Sequence, residues 1–145
     1  MDERYTVSVA AGALRSESEE AMRFPHRWTA EGVTVLGAFT GAHLLHLSIA
    51  GCVLNDLYRE AAGARIDLRG VRVSAGGGFD AHTWTSSGIT YSVEVVSDAP
   101  PDELTRLLST VDEVAEIPRA VRAGATVRRT ARALPQDGAR TVLGG

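Results

Sequence analysis

The chain contains no lysine, a single cysteine and no apolar run fit to span a bilayer. Each absence removes a class of function. All fifteen basic residues are arginines, set against eighteen acidic residues for a formal charge of −3. They form no dense run, so nucleic-acid binding has little electrostatic support. One cysteine forbids an intramolecular disulfide and any multi-cysteine metal site, which leaves Cys52 as a free thiol unless it pairs with another molecule. The longest apolar stretch, Thr40 to Gly63, is interrupted by His43, His46, Ser48, Asn55 and Asp56. A transmembrane helix needs about 20 mostly apolar residues, so that stretch does not qualify. The first residues, MDERYTVSV, are charged and lack the apolar core of a secretory signal. A cytoplasmic protein without membrane attachment is expected, as one domain over residues 1–145.

The same stretch, TGAHLLHLSIAGCVLNDLYREAAG, is the organising element. Leu44, Leu45, Leu47, Ile49, Val53, Leu54, Leu57 and Tyr58 recur at helical intervals and cover most of the circumference. Thr40 suits the N-cap and Gly63 a left-handed terminator, so the spacing predicts a helix from about Gly41 to Ala62. A helix apolar nearly all round needs cover on both sides, and a chain of this length offers sheet for one. A homodimer is therefore expected, and a monomer at micromolar concentration in sedimentation would count against it.

Around the helix the periodicity is that of strands. Tyr5 to Ala11 alternates and ends at Gly12, and Ala21 to Thr29 reads as an extended edge piece around Pro25. Together they suggest an N-terminal meander. Val33 to Leu36 fits either a short strand or a structured loop. Ile66 to Ser74 alternates up to the glycines 76–78, and Gly88 to Ser97 alternates again, predicting an antiparallel pair joined by a loop of roughly ten residues. DAPPD opens an amphipathic helix on Leu104, Leu107, Leu108, Val111 and Val114, through about Ala115. Pro118 opens a short helix to Ala123, Ala125 to Leu134 reads as a closing basic strand, and residues 135–145 as a frayed tail. The fold class is α+β, with helices on one side of a largely antiparallel sheet.

The segments HLLHLSIAGCVLNDL, ARIDLRGVRVSAGG and SDAPPDELTRLLSTVDEVAEIPRAVRAG, in this order, resemble the OsmC/Ohr family of osmotically inducible and organic hydroperoxide resistance proteins. The resemblance implies an intertwined homodimer around long buried central helices. It also implies a chemistry: the Cys52 thiolate attacks a hydroperoxide, becomes a sulfenic acid and is restored by a small thiol or dithiol. In that pattern Arg15, in GALR, matches the family's activating arginine. The family's helix glutamate falls on Ala42, and its second cysteine on Ile117.

Helical spacing puts Ser48, Asp56 and Arg59 on the face of Cys52, and an Asp56 and Arg59 pair can stand in for the missing charged groups. Cys52, Arg15, Asp56 and Arg59 are thus the candidate catalytic residues. No cofactor is implied. His43 and His46, three apart, lack partners for a metal site and read as structural or interfacial. The glycines 76–78 precede neither a lysine nor a helix, which argues against a phosphate loop. Arg122, Arg128, Arg129 and Arg132 read as a solvated face. Phe24, Trp28, Phe39, Phe79 and Trp84 either line an apolar pocket near the helix N-terminus or fill the core. A peroxidase and a non-catalytic dimer binding a small apolar ligand or a protein both remain open.

Overall fold

The computed structural model describes residues 4–130. Strand β1 (Val7–Gly12) is followed by β2 (Met22–Phe24), β3 (Val33–Leu36) and helix α1 (Gly41–Ala64). Then come β4 (Gly70–Phe79), β5 (Ser86–Val96), α2 (Pro101–Val114) and α3 (Glu116–Ala123). The five strands form one antiparallel sheet in the order β2-β3-β1-β4-β5. The expected α+β class, with one antiparallel sheet and a long central helix, is what the chain forms.

The N-terminal strands depart from a meander, because β1 lies between β3 and β4 and never pairs with β2. A tertiary contact fixes this order: the Ser16 N–H donates to the hydroxyl of buried Thr34, 2.8 Å away, tying the polar connector after β1 to β3. The edge piece expected over Ala21 to Thr29 forms a strand only at β2, and the undecided Val33 to Leu36 is a strand.

Helix α1 lies across β1 and β4 and packs on α2 and α3. Its N-cap is Thr40, whose side-chain oxygen accepts from the His43 N–H at 3.2 Å. The other end differs from expectation. Gly63 stays inside the helix, and Arg65 takes the left-handed conformation at φ 58°. The Ile66 N–H then closes on the Ala61 carbonyl at 2.8 Å, a Schellman-type ending. The stop is set by where Ile66 must land, since it packs against the core. Val53, Leu54 and Leu57 are the fully buried centre of α1, facing Val71 and Val73 of β4 and Val111 of α2. Each such side chain contributes about 1.5–3 kcal/mol on leaving water.

Strand β4 begins at Gly70 rather than Ile66 and runs through the glycines 76–78 instead of ending there. A Cβ at Gly77 would sit 2.1 Å from the Gly88 carbonyl oxygen of β5, so only glycine lets the two strands approach this closely. The expected loose loop shrinks to a turn between Phe79 and Ser86.

The third helix starts at Glu116, with Pro118 in its first turn, where a missing N–H costs nothing. The closing strand does not form over residues 124–130, and Arg122 lies on α3, paired with Asp112 at 2.9 Å. The rest of that strand, with Arg132, and the expected tail 135–145 lie outside the described residues. Among the described residues no helix is long and apolar enough to cross a membrane.

Candidate functional site

Cys52 sits half-buried at the middle of α1, on the wall of a cavity of about 310 Å³. Helical geometry brings Ser48, Asp56 and Arg59 to the same cavity, as their spacing predicts. Across from them stand Glu116 and Ile117 at the start of α3, and Trp28 and Asn55 close a side. Three of the four candidate catalytic residues are thus together. Arg15 is not among the lining residues. It follows the end of β1, and its Nε donates to the Gly12 carbonyl at 3.2 Å.

The charges around the thiol have a definite sign. Burial pushes the Cys52 thiol above its ordinary value, and the Asp56 and Glu116 carboxylates push the same way. The backbone N–H groups of Ile117 and Glu116, aimed at the sulfur from the start of α3, oppose them without prevailing. Arg59 does not act as a free cation here. Its guanidinium is engaged by the Asp56 carboxylate at 3.2 Å and by Glu60 at 3.5 Å. The Asp56 side chain is only 7 % exposed, and its carboxyl is held above the usual range by burial, partly offset by Arg59. The pair therefore places an oriented, partly neutralised carboxylate one turn from the sulfur.

A second cavity, of about 330 Å³, shares Trp28 and Asn55 with the first. Its walls are the segment Phe24 to Trp28, sheet residues such as Val9 and Val35, and Leu47 and Leu54 of α1. Gly51, the residue before Cys52, lies between the two leucines on this wall. His26 pins the segment down. Its Nε2 donates to the Asn55 amide oxygen at 3.0 Å, its Nδ1 lies 2.7 Å from the Thr29 hydroxyl, and its ring meets the Tyr58 ring edge-on. Arg27 lines the same cavity and places its guanidinium 5.5 Å from the Trp28 ring centroid.

The aromatic pocket expected near the helix N-terminus is split. Phe24 and Trp28 line the second cavity, whereas Phe39 and Trp84 are 85 % and 78 % exposed. Phe79 packs on Tyr5 and stacks with His46. The two histidines of α1 are engaged separately: His46 Nδ1 donates to the Tyr5 carbonyl at 2.8 Å, and His43 Nδ1 lies 2.6 Å from the Thr40 hydroxyl.

A family model described as OsmC-like protein matches residues 34–129. The chain belongs to the OsmC-like family. Among solved structures it is similar to an OsmC-like hydroperoxide resistance protein from Jannaschia sp. CCS1, with 13% sequence identity and a TM-score of 0.48. The likeness covers 97% of this chain and 99% of that one. No curated protein matches the chain.

Within this OsmC-like chain, Ile117, which the sequence resemblance set at the family's second-cysteine position, faces Cys52 across the cavity. Ala42 lies ten residues before Cys52 in the first turn of α1, roughly 15 Å away along the axis. Sequence reasoning missed Asn55, Glu116, His26 and Gly51. Asn55, three residues after Cys52, was within reach of a helical-wheel argument. Glu116 and His26 arrive from elements far apart in sequence and leave no local signal.

Proposed function

We propose that this OsmC-like protein reduces organic hydroperoxides through Cys52, as a one-cysteine peroxidase that depends on an external thiol. The observation that carries the reading is a solvent-reachable thiol on the wall of one cavity with an apolar cavity directly beside it. In the reaction the Cys52 thiolate attacks the outer oxygen of ROOH. The S–O bond forms as the O–O bond breaks, and the departing alkoxide takes a proton to leave as ROH. Sulfur is oxidised to the sulfenic acid. Ile117 has no thiol to condense with it, so a small thiol does so, forming a mixed disulfide and releasing water. A second thiol then regenerates Cys52 and carries away the disulfide. A free thiol is only a few per cent ionised at neutral pH, and the raised Cys52 value lowers that fraction, so turnover rises with pH.

The test is consumption of an alkyl hydroperoxide in excess dithiothreitol by the wild type and by Cys52→Ser. A clear excess in the wild type is expected, and equal rates overturn the reading. A second reading, a non-catalytic OsmC-like protein that binds an apolar ligand, is favoured by the two carboxylates that discourage the thiolate. It loses its ground if peroxide generates a trappable sulfenic acid on Cys52 far faster than on a free thiol.

A further inference from the structure

Glycine in mid-helix is ordinarily unfavourable, because it orders more backbone than alanine would and buries no side chain. It is usually tolerated where another backbone passes too close for a Cβ. Among the described residues of this chain, nothing gives Gly51 that reason. A Cβ built there meets no atom of the described residues within 4 Å, its own helix backbone and chain neighbours aside, so the position faces open space. That space is the apolar cavity, where Gly51 shares the α1 wall with Leu47 and Leu54.

We propose that Gly51 sets the size of the hydrocarbon that lodges beside Cys52. The missing side chain is what leaves the cavity deep enough for a compact branched or aryl group. Three features besides the glycine support a hydrocarbon occupant. Val9, Val35, Leu47 and Leu54 supply aliphatic walls, and Phe24 and Trp28 supply aromatic ones. The segment carrying Trp28 is held in place by the His26 hydrogen bond to Asn55, so the walls are pre-formed. Finally, Trp28 and Asn55 border both cavities, so a group seated in the apolar one has its polar end at the thiol. A side chain added at Gly51 grows into the space the hydrocarbon would take.

This rests on the peroxidase reading only for the identity of the polar end, and the experiment separates the two. The probe is 2-phenyl-2-propanol, which carries a compact aryl-alkyl group and no peroxide bond. Binding is read from Trp28 fluorescence, with Trp28→Phe assigning the signal against Trp84. Wild type is expected to bind saturably. Gly51→Ala should weaken binding severalfold, and Gly51→Leu should abolish it. Circular dichroism checks that each variant is folded, with Gly51→Val as the substitute should the leucine variant fail. Binding that is equal in wild type and the folded bulky variant, or no binding by the wild type, overturns the proposal. Expected binding without peroxide turnover supports it while defeating the peroxidase reading.

Discussion

Replacing Asp56 by Asn should make Cys52 more reactive, and the size of the gain follows from the helix. Residues four apart on one face have Cβ atoms about 5–6 Å from each other. At about 6 Å and an effective dielectric of about 20, two unit charges repel by about 2.8 kcal/mol. The cavity opens to solvent and Arg59 already neutralises part of the carboxylate, so an effective dielectric of about 40–80 is appropriate. The repulsion then falls to about 0.7–1.4 kcal/mol, which corresponds to about three- to tenfold more thiolate at a fixed pH below the thiol's own value. Intrinsic nucleophilicity drops as the thiolate becomes less basic, with a Brønsted slope of about 0.4–0.5. The net gain in rate is therefore about two- to fourfold. Freed from Asp56, Arg59 acts in the same direction. The variant should fold, since burial already disfavours the charge that Asn lacks. Thiolate is read by its ultraviolet absorbance across a pH titration, with Cys52→Ser as blank, and reactivity by iodoacetamide alkylation at about pH 7.5. An unchanged or smaller thiolate fraction in Asp56→Asn would refute the electrostatic account.

Two further outcomes follow from the packing and the sheet. Leu57→Ala empties the centre of α1, where the leucine is fully buried against β4, and should cost about 2–5 kcal/mol by urea unfolding while leaving the Cys52 alkylation rate nearly unchanged. A loss under about 1 kcal/mol would mean the helix is not the core. In Tyr91→Phe the phenol that donates to Asp112 is removed. That hydrogen bond, followed by Arg122, holds the Asp112 carboxyl below its usual range. A carboxyl lowered on folding adds stability above its unfolded pKa of about 3.9 and loses it as pH falls through the lower folded value. Wild type should thus exceed the variant by about 1 kcal/mol at neutral pH, the carboxylate being half exposed. The gap should narrow from about pH 4 downward, and a gap independent of pH would contradict the linkage.

The legible parts of the molecule were those governed by local periodicity. The helical stretch around Cys52 and the alternation in β1, β4 and β5 follow from spacing alone, and the same spacing put Asp56 and Arg59 beside the thiol. The illegible parts are set by distant contacts. Glycine propensity argued for a break at 76–78, yet the approach of Gly88 to Gly77 makes glycine a requirement of the strand. Gly63 looked like a terminator until the packing of Ile66 moved the stop to Arg65. Between strands joined by a polar connector, nothing in the alternation says which pair, and the contact of Ser16 with Thr34 supplies the answer. The same holds for Glu116 and His26, whose places near Cys52 depend on how α3 and the segment after β2 dock.

Cys52 and the core residues share one helix but point different ways: Val53, Leu54 and Leu57 face the interior, while the sulfur looks onto the cavity framed by α3 and Trp28. The cavity that receives the sulfur and the centre of the core are thus lined by different positions of the same helix. Ile117, Asp56 and Gly51 border the two cavities, so changes there act first on the surroundings of the sulfur and on the size of the neighbouring chamber. One helix thus carries the core of the fold on one side and the surroundings of the thiol on the other.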